Sequence, residues 1–136
     1  MNLIVMKFGG TLMGSLEAIK HSAGLVASSV KNGSRVVVVP SAMSGVTDQL
    51  LKIAVSAEQG EIDFANDEIA MIQKRHLETA IALETREDGL HKLETMFNSL
   101  SQTINGIYLL SELSKRSKDL IVYFGERLYA QLMSAA

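Results

Sequence analysis

The sequence predicts an α/β domain, and three observations carry that prediction. Two short apolar runs, residues 3–8 and 35–39, are each stopped by glycine or proline. A stretch with helical spacing lies between them, and from about residue 46 the chain reads as one helix after another. With 136 residues, 47% hydrophobic and 21% charged, the chain holds one domain with a real core and not two.

Leu3-Ile4-Val5-Met6-Lys7-Phe8, stopped by Gly9-Gly10, has the form of a buried strand. Ser15 can cap a helix from about Leu16 to about Lys31, in which Ile19, Ala23, Val26, Ala27 and Val30 recur at helical spacing. Arg35-Val36-Val37-Val38-Val39 follows Asn32-Gly33-Ser34 and ends at Pro40, and its four valines predict a strand buried on both faces. Strand, helix, strand makes a right-handed βαβ unit with parallel strands, over about 3–40.

The helical segment spans about 46–136. Its first helix is expected from about Thr47 to Gln59, with Gly60 as the stop. A second begins near Asp63 and carries Ile69, Ile72, His76, Ala80 and Leu83 on one face, and Asp63, Asp67 and Glu68 complement the dipole at its start. A third begins near Leu90 with Leu93, Phe97, Leu100, Ile104 and Ile107 in phase. The last, from about Asp119, stacks Leu120, Phe124, Leu128 and Leu132 at intervals of four. The stripes of the helices from about 63 to 116 are expected to pack on the sheet or to form part of a dimer surface. Two strands do not make a stable sheet, and the last helix reaches Ala136 without a stop signal. The expectation is therefore the opening part of a larger α/β domain, truncated or completed by another chain.

Composition narrows the function. The net charge is −2, from 13 Lys and Arg against 15 Asp and Glu, so neither nucleic acid nor an anionic membrane is expected as a partner. Cys is absent, which excludes disulfides, thiolate metal sites and a Cys nucleophile. No apolar run approaches the roughly 20 residues of a membrane span and no signal-peptide pattern opens the chain, so a cytoplasmic domain is expected. His21, His76 and His91 lack metal-ligand spacing, and no protein-held metal is expected. His76, on its apolar stripe, reads as a hydrogen-bonded core histidine.

Ligands of open α/β sheets bind beyond the carboxyl ends of the strands. Here those ends are Gly9-Gly10-Thr11 and the loop from Ser41 to Asp48, the two loops richest in glycine and hydroxyls. Lys7 shares a strand face with Leu3 and Val5, so it must snorkel out or meet an anion. Glycine amides beside a lysine suit phosphoryl transfer, which depends on positioning and charge neutralisation. A turn with a surface lysine would leave the same residues. The Ser41 to Asp48 loop offers Ser41, Ser44 and Thr47 hydroxyls to a carboxylate or phosphate, or Ser44 or Thr47 simply caps the next helix.

Lys7-Phe8-Gly9-Gly10-Thr11, then Val38-Val39-Pro40-Ser41-Ala42-Met43-Ser44-Gly45-Val46-Thr47-Asp48, then Phe124-Gly125-Glu126-Arg127-Leu128 together resemble the aspartate kinases of the amino-acid kinase superfamily. The lysine-glycine-glycine start is shared across the superfamily. The serine-glycine-valine-threonine loop with the later Gly125-Glu126 is particular to aspartate kinases. The resemblance implies a three-layer α/β/α, carbamate-kinase-like fold of which this chain is the amino-terminal part. It implies transfer of the ATP γ-phosphoryl group, with magnesium bound through the phosphates, to the β-carboxylate of L-aspartate. Lys7 would then stabilise the transferring phosphoryl group, with Gly9, Gly10 and Thr11 on the phosphates. Ser41 and Thr47 would hold the amino acid, and Glu126 would pair with its ammonium group or order nearby residues.

Two departures from the family stand out. Leu12 replaces the serine that usually follows the threonine, which removes one hydroxyl near the phosphates. The remainder of the domain, which in the family supplies most of the nucleotide site and carries ACT-type regulatory domains, would have to come from elsewhere, a second chain included. A homo-oligomer is expected. Two other readings stay open: an amino-acid kinase with another acceptor, and a catalytically inactive fragment acting in binding or assembly.

Overall fold

The computed structural model describes residues 1–9 and 14–136. Strand β1 (Leu3–Lys7), helix α1 (Leu16–Lys31) and strand β2 (Arg35–Val39) form the expected βαβ unit. The strands are parallel, in register from Leu3 opposite Arg35 to Lys7 opposite Val39. The Ser15 hydroxyl accepts a hydrogen bond from the Ala18 N–H at 3.1 Å, which fixes where α1 begins. At its other end Gly33 turns the chain at φ +84°, a conformation that suits glycine.

β2 is not buried on both faces. Val36 and Val38 are half-buried, whereas Val37 and Val39 are 48% and 42% exposed. Leu3 and Val5, both 63% exposed, continue that open face on β1. The cause is the distribution of the helices. α1 packs beside β2, the later helices gather with one another, and no described residue covers the outer face. The stripe expected on α1 is also incomplete. Ile19 and Ser22 are buried, Ala23, Val26 and Ala27 line an open apolar groove of about 430 Å³ shared with β2 and the end of α5, and Val30 is exposed.

Four helices follow: α2 (Val46–Glu58), α3 (Ile62–Ala82), α4 (Glu87–Leu110) and α5 (Lys115–Ala135). Their apolar stripes pack on one another as a bundle, not on the sheet. The α3 and α4 faces are the expected ones, and Ile69, Ile72, His76, Ala80, Leu93, Phe97, Leu100 and Ile104 are all buried. The α5 face differs, because Ile121 is buried and Leu120 is 44% exposed. Steps of four overshoot a helical turn by about 40°, so a stripe written at that interval drifts off the buried face. α5 also begins four residues before Asp119, where the Ser114 hydroxyl accepts from the Ser117 N–H at 3.0 Å.

His76 is a core histidine, as expected. It is fully buried, its Nδ1 lies 2.8 Å from the Ile72 carbonyl oxygen, and its ring meets Phe97 edge-on at 5.6 Å. Burial lowers its pKa to about 4.

Candidate active site

Both strands deliver their carboxyl ends to one edge of the sheet. Lys7 ends β1 with an exposed side chain, and the Phe8 N–H donates to the Val39 carbonyl at 3.0 Å, which carries the pairing one residue further. A Cβ on Gly9 would stand 3.9 Å from the Ser41 Cβ, so the two loops run side by side as the topology requires. Gly10 and Thr11, the other two expected phosphate contacts, lie outside the described residues.

The loop from Pro40 to Gly45 is pinned by its apolar residues. Ala42 and Met43 are buried, and the Val46 N–H donates to the Met43 carbonyl at 3.0 Å. Gly45, in the left-handed region at φ +81°, takes the N-cap position of α2, and no side-chain hydroxyl caps this helix. Ser44 and Thr47 are therefore not spent as caps. The simpler structural reading of those hydroxyls does not hold. The Ser44 carbonyl accepts from Nη1 of Arg75 on α3 at 2.7 Å.

α5 closes the site from the other side. A Cβ on Gly125 would lie 2.9 Å from the Ala42 Cβ and 3.3 Å from Leu50 Cδ1, so only glycine lets the helix lie this close to the loop. The next residues of α5 then face the strand ends. Lys7, Ser41, Tyr123, Glu126 and Arg127 line one cleft of about 500 Å³, walled by Val38, Val39, Pro40 and Ala130. Three of the expected site residues, Lys7, Ser41 and Glu126, thus converge. Thr47 does not line this cleft and stands half-buried in the first turn of α2.

Tyr123 and Arg127 are not among the site residues expected from the sequence. The signal was the spacing of Tyr123, Glu126, Arg127 and Ala130, which lie three, four and seven residues apart and share a helix face. The Arg127 guanidinium lies 5.9 Å from the Tyr123 ring centre and 5.3 Å from that of Phe124. Such contacts contribute about 0.5–1 kcal/mol at exposed sites and hold the head group in place.

The cleft holds two cationic side chains and one carboxylate. Among the described residues the one ion pair is Lys74–Glu78 at 3.9 Å, on the surface of α3, so none of the three cleft charges is neutralised by a neighbour. This balance suits a small zwitterion carrying excess negative charge. Among the described residues no group of three His, Asp or Glu side chains is placed to hold a metal ion. No helix among the described residues is long and apolar enough to cross a membrane.

Comparison with known proteins points to one family. The family model described as "Amino acid kinase family" matches residues 2–136. The chain is 35% identical over 133 residues to aspartokinase 2, chloroplastic, of Arabidopsis thaliana, covering 96% of this chain and 24% of that protein. It is 37% identical over 115 residues to the aspartokinase of Helicobacter pylori strain J99, covering 76% of this chain and 28% of that one. A shorter stretch of 54 residues is 52% identical to the aspartokinase of Geobacillus stearothermophilus, covering 40% of this chain and 13% of that protein. The chain spans about a quarter of the length of the first two relatives.

Proposed function

Because this chain belongs to the amino acid kinase family, we propose that it supplies the acceptor-binding part of an aspartate kinase. The reaction is transfer of the γ-phosphoryl group of ATP to the β-carboxylate of L-aspartate, giving 4-phospho-L-aspartate and ADP. The observation that carries this reading is the convergence of Lys7, Ser41 and Glu126 on one cleft from three separate parts of the chain.

The roles follow from the chemistry of each group. A carboxylate acceptor is ionised at pH 7, so its oxygen attacks phosphorus without a general base while the bond to the β–γ bridging oxygen breaks. No proton has to move, and no histidine is among the described residues that line the cleft. Lys7 places a positive charge where negative charge gathers on the phosphoryl oxygens. Gly9, with Gly10 and Thr11, is assigned to the same phosphates. Ser41 offers a hydroxyl to the amino acid and Glu126 a carboxylate to its ammonium group. Thr47 stands where the first N–H groups of α2 favour a carboxylate. ATP would bring its magnesium bound to the phosphates, and that ion supplies further charge neutralisation when present. The setting proposed is cytoplasmic, and the remainder of the kinase domain is the partner this reading requires.

Trapping of aspartyl phosphate by hydroxylamine tests the proposal. It is run with ATP, magnesium and L-aspartate, on this chain alone and on the longest polypeptide continuous with it or encoded next to it. Hydroxamate formed from L-aspartate, and not from L-glutamate or acetate, is the expected result. Hydroxamate from another carboxylate would assign a different acceptor. None from any carboxylate in either preparation would leave a kinase-derived binding or assembly module.

A further inference from the structure

We infer that Arg75 is a positioning residue of the acceptor site, holding the loop from Ser41 to Gly45 in its binding geometry from the far side. This rests on the aspartate kinase reading above, because it concerns how that site is kept in shape.

Backbone hydrogen bonds at the outer turn run from the Val46 N–H to the Met43 carbonyl and from the Gln49 N–H to the Gly45 carbonyl, and the Ser44 carbonyl is left to a side chain. Ala42 and Met43 anchor its middle in the core, but Ser44 and Gly45 are exposed and no side-chain hydroxyl caps the helix that follows. Gly45 sits at φ +81°, which glycine reaches without strain but also leaves readily. Among the described residues the one side-chain hydrogen bond to this turn comes from Arg75, whose Nη1 donates to the Ser44 carbonyl at 2.7 Å. A guanidinium donor makes this a charge-assisted bond, among the stronger hydrogen bonds available. Among the described residues it is the one side-chain hydrogen bond that joins residues far apart in sequence, spanning 31 positions, while the others span three or four.

Arg75 is itself held. Its neighbour His76 is fully buried and meets Phe97 of α4 edge-on, which sets the rotation of α3 about its axis. The Thr79 hydroxyl donates to the Arg75 carbonyl at 2.8 Å one turn on. The guanidinium is thus presented from a rigid element to a loop whose conformation it selects. Arg75 does not line the cleft. Its effect on an acceptor must pass through the loop, whose first serine, Ser41, lines that cleft and whose far end starts α2. In this way α3 helps set the geometry of the substrate site without lining it.

Arg75→Met and Arg75→Lys separate this role from a merely structural one. Steady-state kinetics are measured in whichever polypeptide turns over in the trapping assay, and amide hydrogen exchange is followed in this chain. In Arg75→Met the KM for aspartate is expected to rise about tenfold, in line with loss of a charge-assisted bond. The KM for ATP and kcat stay within about twofold, and exchange accelerates in residues 41–47 but not in α4. Arg75→Lys, which keeps one cationic donor, recovers most of the aspartate KM. The inference is overturned if exchange in 41–47 is unchanged, or if thermal stability falls while the two KM values move together. A wild type silent toward aspartate would overturn the functional reading alone, and the exchange comparison would still decide the role of Arg75.

Discussion

Lys7 and His76 show how differently two titratable side chains can serve one fold. Lys7 ends its strand in solvent, so the folded state depends little on it. Lys7→Ala is expected to cut aspartyl phosphate formation by at least about a hundredfold while shifting stability by less than about 0.5 kcal/mol. Trapping and thermal melting on the same preparation check this, and parallel loss of both would make Lys7 structural. His76 is the reverse case. Its pKa falls to about 4 in the folded protein, chiefly because burial disfavours the charged ring, with the Arg75 charge adding to the effect. The unfolded chain, with a pKa near 6.5, therefore binds the proton more readily. The stability this contributes is present in full above pH 6.5 and is lost as pH falls toward 4, in total by about 3 kcal/mol. In His76→Gln the dependence of unfolding free energy on pH between 6.5 and 4 should flatten. An unchanged slope would show that carboxylates govern the acid transition.

At the scale of elements, the decisive contact is between α5 and the loop entering α2. Gly125→Ala would put a methyl group 2.9 Å from the Ala42 Cβ, which is too close and has no flexible end to swing aside. Overpacking of this kind costs about 1–3 kcal/mol, against which alanine returns up to about 1 kcal/mol of helix propensity. The net expectation is a loss of about 1–2 kcal/mol, read by denaturant unfolding, with a raised KM for aspartate as Glu126 moves away from Ser41. Undiminished stability and KM would mean that the helix and loop separate at no cost. The elements themselves were largely legible. α1 runs over the predicted residues because Ser15 and Asn32-Gly33 are unambiguous local signals. The start of α5 was harder, since Lys115-Arg116-Ser117-Lys118-Asp119 shows no apolar period, and the Ser114 cap was the only local clue.

At the scale of the whole molecule, the sheet is the unfinished part. β1 and β2 are paired to each other alone among the described residues, so each keeps one free edge. Leu3, Val5, Val37 and Val39 expose their shared face. Free strand edges beside an apolar face favour association with another chain. The chain is expected to associate with rising concentration in sedimentation, and Val37→Lys should weaken this without lowering the melting temperature. A monodisperse monomer across the range would contradict it.

What the amino-acid sequence determined by itself was whatever depends on near neighbours. It set the order and kind of the elements, the burial of the α3 and α4 stripes, and the chemistry waiting at the strand ends. Periodicity, caps and glycine stops act within a turn or two, so one chain read alone reveals them. The tertiary structure decided what depends on residues far apart. The missing Cβ of Gly125 lets α5 bring Glu126 and Arg127 to a cleft that also holds Lys7 and Ser41. Packing turned Gly45, not Ser44 or Thr47, into the start of α2, and brought Arg75 across 31 positions to the Ser44 carbonyl. Such contacts are selected by close packing between surfaces, and no local pattern in the chain encodes which surfaces will meet.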